Sequence, residues 1–266
     1  MKRLLIPLAV IMAGAVCILI RQPESYAAGK ISIEQNTYGL YEKGNYLYIK
    51  SGKKYVKILD EEIIDFKIYD IDSDKDDEIL AISKHTSEEY GSDFIMYDIY
   101  EADGIILTKE IYRQDFSEIK PWKVDACNLD NDSETDIFIG VYKDTVFYKD
   151  VRKRPFFYSW DGERLNKKWL GSFFTDWDLV DIAFGDFYNL GHDVAAVLEK
   201  NKDACRIGIY QFIGFGFVNM YTSEIYTNVE GIETVIEGNI DILVLNFSGR
   251  KNTQILHCVQ YGKACF

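Results

Sequence analysis

Apolar residues in this chain come in short bursts divided by clusters of glycine, aspartate, asparagine and serine, the pattern of strands and turns. After residue 28 no segment keeps a helical period over a dozen residues. Five stretches align on a glycine, at Gly52, Gly104, Gly162, Gly214 and Gly262, spaced by 52, 58, 52 and 48 residues. Tyr48, Tyr100, Tyr158 and Tyr210 each stand four places before the first four glycines, and Cys258 takes that place in the last. Glycine supplies the positive φ of a tight turn, so each stretch predicts a β-hairpin.

A second element recurs between the hairpins. It reads Asp70-Ile-Asp72-Ser-Asp74-Lys-Asp76-Asp77-Glu78, then Asn128-Leu-Asp130-Asn-Asp132-Ser-Glu134-Thr-Asp136. A degraded third copy runs from Asp186 to Asp193, and a faint fourth from Glu237 to Asp241. The first three begin 58 residues apart. Each is preceded by an apolar stretch and leads into another that is apolar at nearly every position, such as Ile79-Leu-Ala-Ile82 or Val194-Ala-Ala-Val-Leu198. A strand apolar on both faces is one covered on both faces.

One unit is therefore strand, acidic loop, buried strand, connection, strand, glycine turn, strand. Four antiparallel strands in roughly 50 residues is the pattern of a propeller blade. The expected fold class is all-β, a propeller-like body of four or five blades over residues 29–266. The first unit lacks an acidic loop and the last ends soon after Gly262, so both are expected to be incomplete and to close the ring by pairing.

Residues 1–28 read as a targeting segment. Lys2 and Arg3 precede a 17-residue apolar run from Leu4 to Ile20, and Ser25-Tyr26-Ala27 offers small residues for cleavage. The run is also long enough for a retained membrane anchor. The body is thus placed outside the cytoplasm, where disulfides form. A two-residue turn at Tyr261-Gly262 would set Cys258 opposite Cys265 within bridging distance. Cys127 and Cys205 read as small buried hydrophobes. The formal charge of −13 argues against a nucleic-acid partner.

At the acidic loops the chain resembles the FG-GAP and VCBS repeats, the integrin-α-type propeller blades of exported bacterial proteins. What the resemblance implies is a calcium ion held between the first two strands of a blade, with a structural role. Carried over by position, Asp70, Asp72, Asp74 and Glu78 would give side-chain oxygens and Asp76 its carbonyl. In the second loop the corresponding residues are Asn128, Asp130, Asp132 and Asp136, with the carbonyl of Glu134. The family's loop glycines are replaced by Ser73 and Lys75, then by Asn131 and Ser133. Hard carboxylate oxygens are the usual calcium partners.

The functional reading is a non-catalytic exported or surface-attached propeller that binds a protein or glycan partner, touching a membrane only through its N-terminal segment. The alternative is an exported polysaccharide lyase or hydrolase on the same scaffold, whose sign would be carboxylates and a His or Lys converging on the central channel. Three histidines and no G-x-S-x-G turn give that alternative little sequence support. Asp181 with Asp186 is a candidate acid/base pair, though carboxylate pairs abound in so acidic a chain. Gly214-Phe-Gly216 reads as a hairpin turn rather than a phosphate loop. Arg152-Lys153-Arg154 reads as a solvated loop, with an acidic glycan as the other option. Trp122, Trp160, Trp169 and Trp177 read as core.

Overall fold

The computed structural model describes residues 26–51, 54–85, 89–132, 134–237, 240–247 and 253–256. The Cys258–Cys265 pairing, the Gly262 turn and the leading apolar run lie outside them. Blade one is β1 (Tyr26–Ile33), β2 (Asn36–Lys43), β3 (Tyr46–Ser51) and β4 (Lys54–Lys57). Blade two is β5 (Glu62–Tyr69), β6 (Glu78–Lys84), β7 (Asp93–Ala102) and β8 (Ile105–Asp115). Blade three is β9 (Pro121–Cys127), β10 (Thr135–Lys143), β11 (Arg152–Trp160) and β12 (Leu165–Leu170). Blade four is β13 (Asp178–Gly185), β14 (Val194–Asn201), β15 (Ala204–Phe212) and β16 (Phe217–Thr222). The fifth sheet has β17 (Val229–Glu237), β18 (Ile240–Phe247) and β19 (Thr253–Leu256).

Each sheet is an antiparallel meander paired in sequence order, and the arrangement is a β-propeller. Among the described residues the only helical element is one 3₁₀ turn, Ser117–Ile119, and no helix is long and apolar enough to cross a membrane. All five first strands contribute to the wall of one central channel of about 380 Å³.

The expected incompleteness of the first unit is corrected. Its four strands form a full sheet without a strand from the last unit, so the two end units do not pair among the described residues. The turn that completes it, Glu34-Gln35, has positive φ at both residues with no glycine to signal it. The sequence pattern therefore concealed a hairpin.

The second strands are buried as their composition requires: Ile79, Leu80, Ala81 and Ile82 have no exposed surface. Full burial of one such large aliphatic side chain stabilises by roughly 1.5–3 kcal/mol. Four apolar clusters lie between successive sheets, one to two, two to three, three to four and four to five. Between sheets three and four the rings of Phe138, Phe157 and Phe184 meet at 5.4–5.7 Å. Trp160 is buried and Trp122 and Trp169 pack against the core as expected, whereas Trp177 lies outside the apolar clusters, stacked under Arg206. Cys127 and Cys205 are buried free thiols.

Sheets in a propeller share no ladder, so something else must join their edges. Here carboxylates do it at repeated positions. Asp77 accepts the amide of Ser32 at 2.6 Å and returns its own amide to the Ser32 carbonyl at 2.9 Å. Asp193 makes the same two-way clasp with Asn128, at 2.8 and 2.7 Å. Asp241 accepts the amide of Asp186 at 2.7 Å. Loops one, three and four thus reach back to the preceding blade through an aspartate, and at that place in loop two the Thr135 hydroxyl donates to the Ile71 carbonyl at 3.4 Å.

Burial, reinforced by Asp241 and Asp186, raises the Asp193 carboxyl to about 6. Asp193→Ala removes an acceptor from a half-buried amide and should cost roughly 1–3 kcal/mol. Asp193→Asn keeps an acceptor oxygen and should cost clearly less. Urea unfolding of both variants checks this, and equal losses would contradict the clasp.

Candidate functional site

The acidic loops join first to second strands and gather at one end of the propeller, together with the glycine turns at 104, 162 and 214. Loop one brings Asp70, Asp72 and Glu78 together, with one oxygen from each within 4.8 Å of the others. Its turns are closed by side chains. Asp70 accepts the amides of Asp74 and Lys75, and Asp74 accepts that of Asp76. Ser73 and Lys75 adopt φ of 64° and 82°, the left-handed conformation that the family's glycines would take. The turn thus forms here with serine and lysine at its two left-handed places. Asp76 directs its carboxylate to the amide of Glu34 at 2.8 Å, so that side chain serves the neighbouring blade.

Glu78 is buried and accepts the Ile71 amide at 2.9 Å. Burial, then the charges of Asp72, Asp74 and Asp70, push its carboxyl up to about 7. Burial and Asp74 likewise raise Asp72. Among the described residues no ion pair reaches Asp70, Asp72 or Glu78. The donor set is all hard oxygen and short of positive charge, which fits a calcium ion.

Loop two repeats the key contacts of loop one with a different solution. Asp136 accepts the Leu129 amide at 2.9 Å, as Glu78 does for Ile71, and Asn131 has a φ of 55°. The Nζ of Lys168 sits 2.6 Å from Asp136, 2.7 Å from Asp130 and 3.3 Å from Asp132. This loop carries its own cation. Lys168 is the extra residue of a bulge, since Phe157 faces Trp169 while Tyr158 faces Lys167. A bulge re-aims a side chain, and here it turns the lysine onto the carboxylates. At the same place in blade four the extra residue is Met220, and in blade two the bulge lies further out, at Ile111. The second set of expected calcium ligands, Asn128, Asp130, Asp132, Glu134 and Asp136, is thus partly engaged by an ammonium group.

Burial works against the charge of Lys168, but hydrogen bonds to Asp130 and Asp136 outweigh it and raise its pKa. Asp136 remains at about 6, lifted by burial against the pull of Lys168. In the third loop Asp186 caps the amides of Leu190 and Gly191, and Val194 stands where Glu78 and Asp136 stand.

The channel collects a second charged set. Every first strand has a bulge, at Ala28, Ile64, Trp122, Val180 and Glu230. The residues that follow are Gly29, Asp65, Lys123, Asp181 and Gly231. Lys123 pairs with Asp181 at 2.5 Å and Lys67 with Asp125 at 2.5 Å. Asp65 accepts the amide of Val124 at 2.8 Å, and Asp181 that of Ile232 at 2.9 Å. Each contact crosses to the next blade. Burial lifts Asp65 to about 7 despite the nearby Lys123. For Lys67 and Lys123 burial is overcome by their carboxylate partners, and both are raised.

Other expected groups fall elsewhere. Asp181 and Asp186 belong to separate networks, one in the channel and one in a loop turn. His85 meets Asp93 in blade two and His192 meets Gln211 in blade four. Gly214 takes a φ of 88° in a loop closed by Ile213 and Gly216, a hairpin as expected. Arg152-Lys153-Arg154 is not a solvated loop. Arg154 is fully buried, Lys153 lies over the Trp122 ring at 3.7 Å, and Arg152 pairs with Asp150. Sequence reasoning missed Lys168, the clasps and the channel ring. The 58-residue spacing of Asp65, Lys123 and Asp181 was the available signal for the last.

No family model matches the chain, and no curated protein matches it in sequence. Among solved structures, the major Malassezia sympodialis allergen Mala s 1 is similar at a TM-score of 0.49 and 11% identity, over 84% of this chain and 72% of that one. The exotype rhamnogalacturonan lyase YesX is similar at a TM-score of 0.46 and 10% identity, over 77% of this chain and 46% of the lyase. No residue role is carried over from either.

Removing the lysine while leaving Asp136 buried should cost about 3–5 kcal/mol. Lys168→Met is therefore expected to lower denaturation midpoints sharply, and adding Asp136→Asn to recover part of the loss. A double variant no better than the single one would show that Lys168 does not neutralise Asp136.

Proposed function

We propose that this is a non-catalytic, exported or membrane-anchored propeller of the FG-GAP/VCBS kind that binds a protein partner at the end opposite the acidic loops. The observation that carries the reading is the tip of the 144–151 loop. Val146 and Phe147 are 80% and 87% exposed, with Tyr148 and Phe173 beside them. The mount beneath is rigid: Arg154, with no exposed surface, donates to the carbonyls of Lys143, Asp150 and Ser172. Tyr148 packs edge-on to Phe173 at 4.9 Å. A clustered apolar tip on a fixed base is what an interface supplies, and solvent alone would not favour it.

β1 begins at this same end, so an anchored chain would turn the tip towards the membrane and a partner held there. The alternative, a polysaccharide lyase or hydrolase, draws on the carboxylates and lysines that meet in the channel. Supporting the non-catalytic reading, those groups are engaged with one another and with backbone amides of adjacent blades.

A photo-crosslinking residue at position 147, in protein made by its own cells, should give one discrete adduct that Phe173→Asp abolishes. The same probe at Leu190, on the other end, should give none. Equal labelling from both positions would overturn the reading.

Calcium in loop one is part of the proposal. Asp70, Asp72 and Glu78 would hold it, with Asp74 and the Asp76 carbonyl as the resemblance implies. When bound, the ion supplies the positive charge that Lys168 supplies in loop two. Millimolar calcium should then raise the melting temperature by a few degrees through binding the native state alone. Asp72→Ala should abolish that increment and Asp130→Ala should leave it. A wild-type melting temperature indifferent to calcium and chelator would remove calcium from the account.

A further inference from the structure

Blade one has two unlike faces. Ile31, Ile33, Leu40, Leu47 and Ile49 are buried against blade two. The pairing register places the alternate residues on the other face: Lys30 opposite Gly39, Tyr41 opposite Tyr48, Lys43 opposite Tyr46, Tyr48 opposite Lys57 and Lys50 opposite Tyr55. That face holds four tyrosines and four lysines and no carboxylate, in a chain with a net charge of −13. The sheet's acids, Glu34 and Glu42, lie in a turn and on the opposite face.

No apolar cluster of the described residues covers the tyrosine–lysine face, although clusters fill the four junctions from sheet one through sheet five. Tyr55 is 48% exposed, Lys30, Lys50 and Lys57 are exposed, and Tyr41, Tyr46 and Tyr48 are half-buried. Lys30 and Lys50 make no ion pair among the described residues. Lys57 lies over the Tyr46 ring at 3.9 Å and reaches Asp60 at 3.4 Å. Tyr41 and Tyr55 meet edge to face at 5.0 Å, which fixes both rings.

We propose that this tyrosine–lysine face of blade one binds an acidic polysaccharide, a glycan strand bearing uronic acids. Tyrosine presents a flat apolar ring with a polar tip, suited to a sugar ring whose faces are CH and whose rim is hydroxyl. Along β2, β3 and β4 a lysine follows a tyrosine two residues on, about 7 Å away, placed to meet the carboxylates of successive sugars. The net negative charge of the molecule disfavours an acidic chain over most of its surface, and a face with lysines and no carboxylate is where it would be steered. A polyanion without rings, such as an acidic peptide, would meet the lysines and leave the tyrosines unused.

The experiment compares polygalacturonate, a neutral dextran and polyglutamate on the full chain by calorimetry at low and moderate salt. The expected result is binding of polygalacturonate that weakens with salt, no binding of dextran, and polyglutamate at least tenfold weaker. Lys50→Glu with Lys57→Glu should weaken polygalacturonate at least tenfold. Tyr55→Ala, at an exposed edge, should weaken it severalfold while the protein stays folded, with only a small drop in melting temperature from the lost Tyr41 contact. Polyglutamate binding as well as polygalacturonate, or Tyr55→Ala without effect, would overturn the glycan in favour of a simple cationic patch. No binding of any polymer would overturn the site. Phe173→Asp serves as the control, since it destroys the proposed protein interface and should leave polygalacturonate affinity unchanged, so the two proposals fail separately.

Discussion

A carboxylate accepting a backbone amide from the neighbouring sheet is the contact on which this propeller depends. Strands within a blade hold one another by their ladders, but between blades the ladder stops, and apolar clusters alone do not fix one sheet's height against the next. Asp77, Asp193 and Asp241 reach back to Ser32, Asn128 and Asp186, and in the channel Asp65 and Asp181 reach forward to Val124 and Ile232. Such a bond aligns two sheets because its donor is fixed in the backbone. The abundance of acid in this chain is in part the abundance of these joints.

The same economy explains the acidic loops. A loop that clasps its neighbour brings several carboxylates close together, and their repulsion has to be relieved. Blade three relieves it with Lys168, made available by a bulge in β12. Blade four has lost the buried acid, with Val194 in its place. Blade two has neither remedy within the described chain, and its Glu78 titrates near 7. Among the described residues one repeated loop thus takes three electrostatic forms, and only that of blade two keeps a donor set suited to a metal.

Surface chemistry divides along the same architecture. The acidic loops occupy one end, the Val146–Phe147 tip the other, and the cationic tyrosine face lies on the side of the first blade. The channel holds charge of both signs, with Lys67 paired to Asp125 and Lys123 to Asp181. These unlike surfaces are what the two proposed binding modes draw on.

Much of this was legible in the sequence. The hairpins at Gly104, Gly162 and Gly214, the buried second strands and the acidic loops follow from local rules: positive φ at turns, apolar residues on both faces of an enclosed strand, a period of 58 residues. Local rules failed at Glu34-Gln35, where a turn formed without its usual residues, and so the completeness of blade one was missed. They failed also at Arg152-Lys153-Arg154, where Lys153 turned onto the Trp122 ring and Arg154 turned inward. Lys168 and Asp136 are 32 residues apart in the chain and 2.6 Å apart in space. Periodicity determines which face of a strand a side chain occupies. Which neighbour waits at that face, and hence whether a carboxylate meets an amide, a lysine, an ion or water, is decided only when the blades close around their axis.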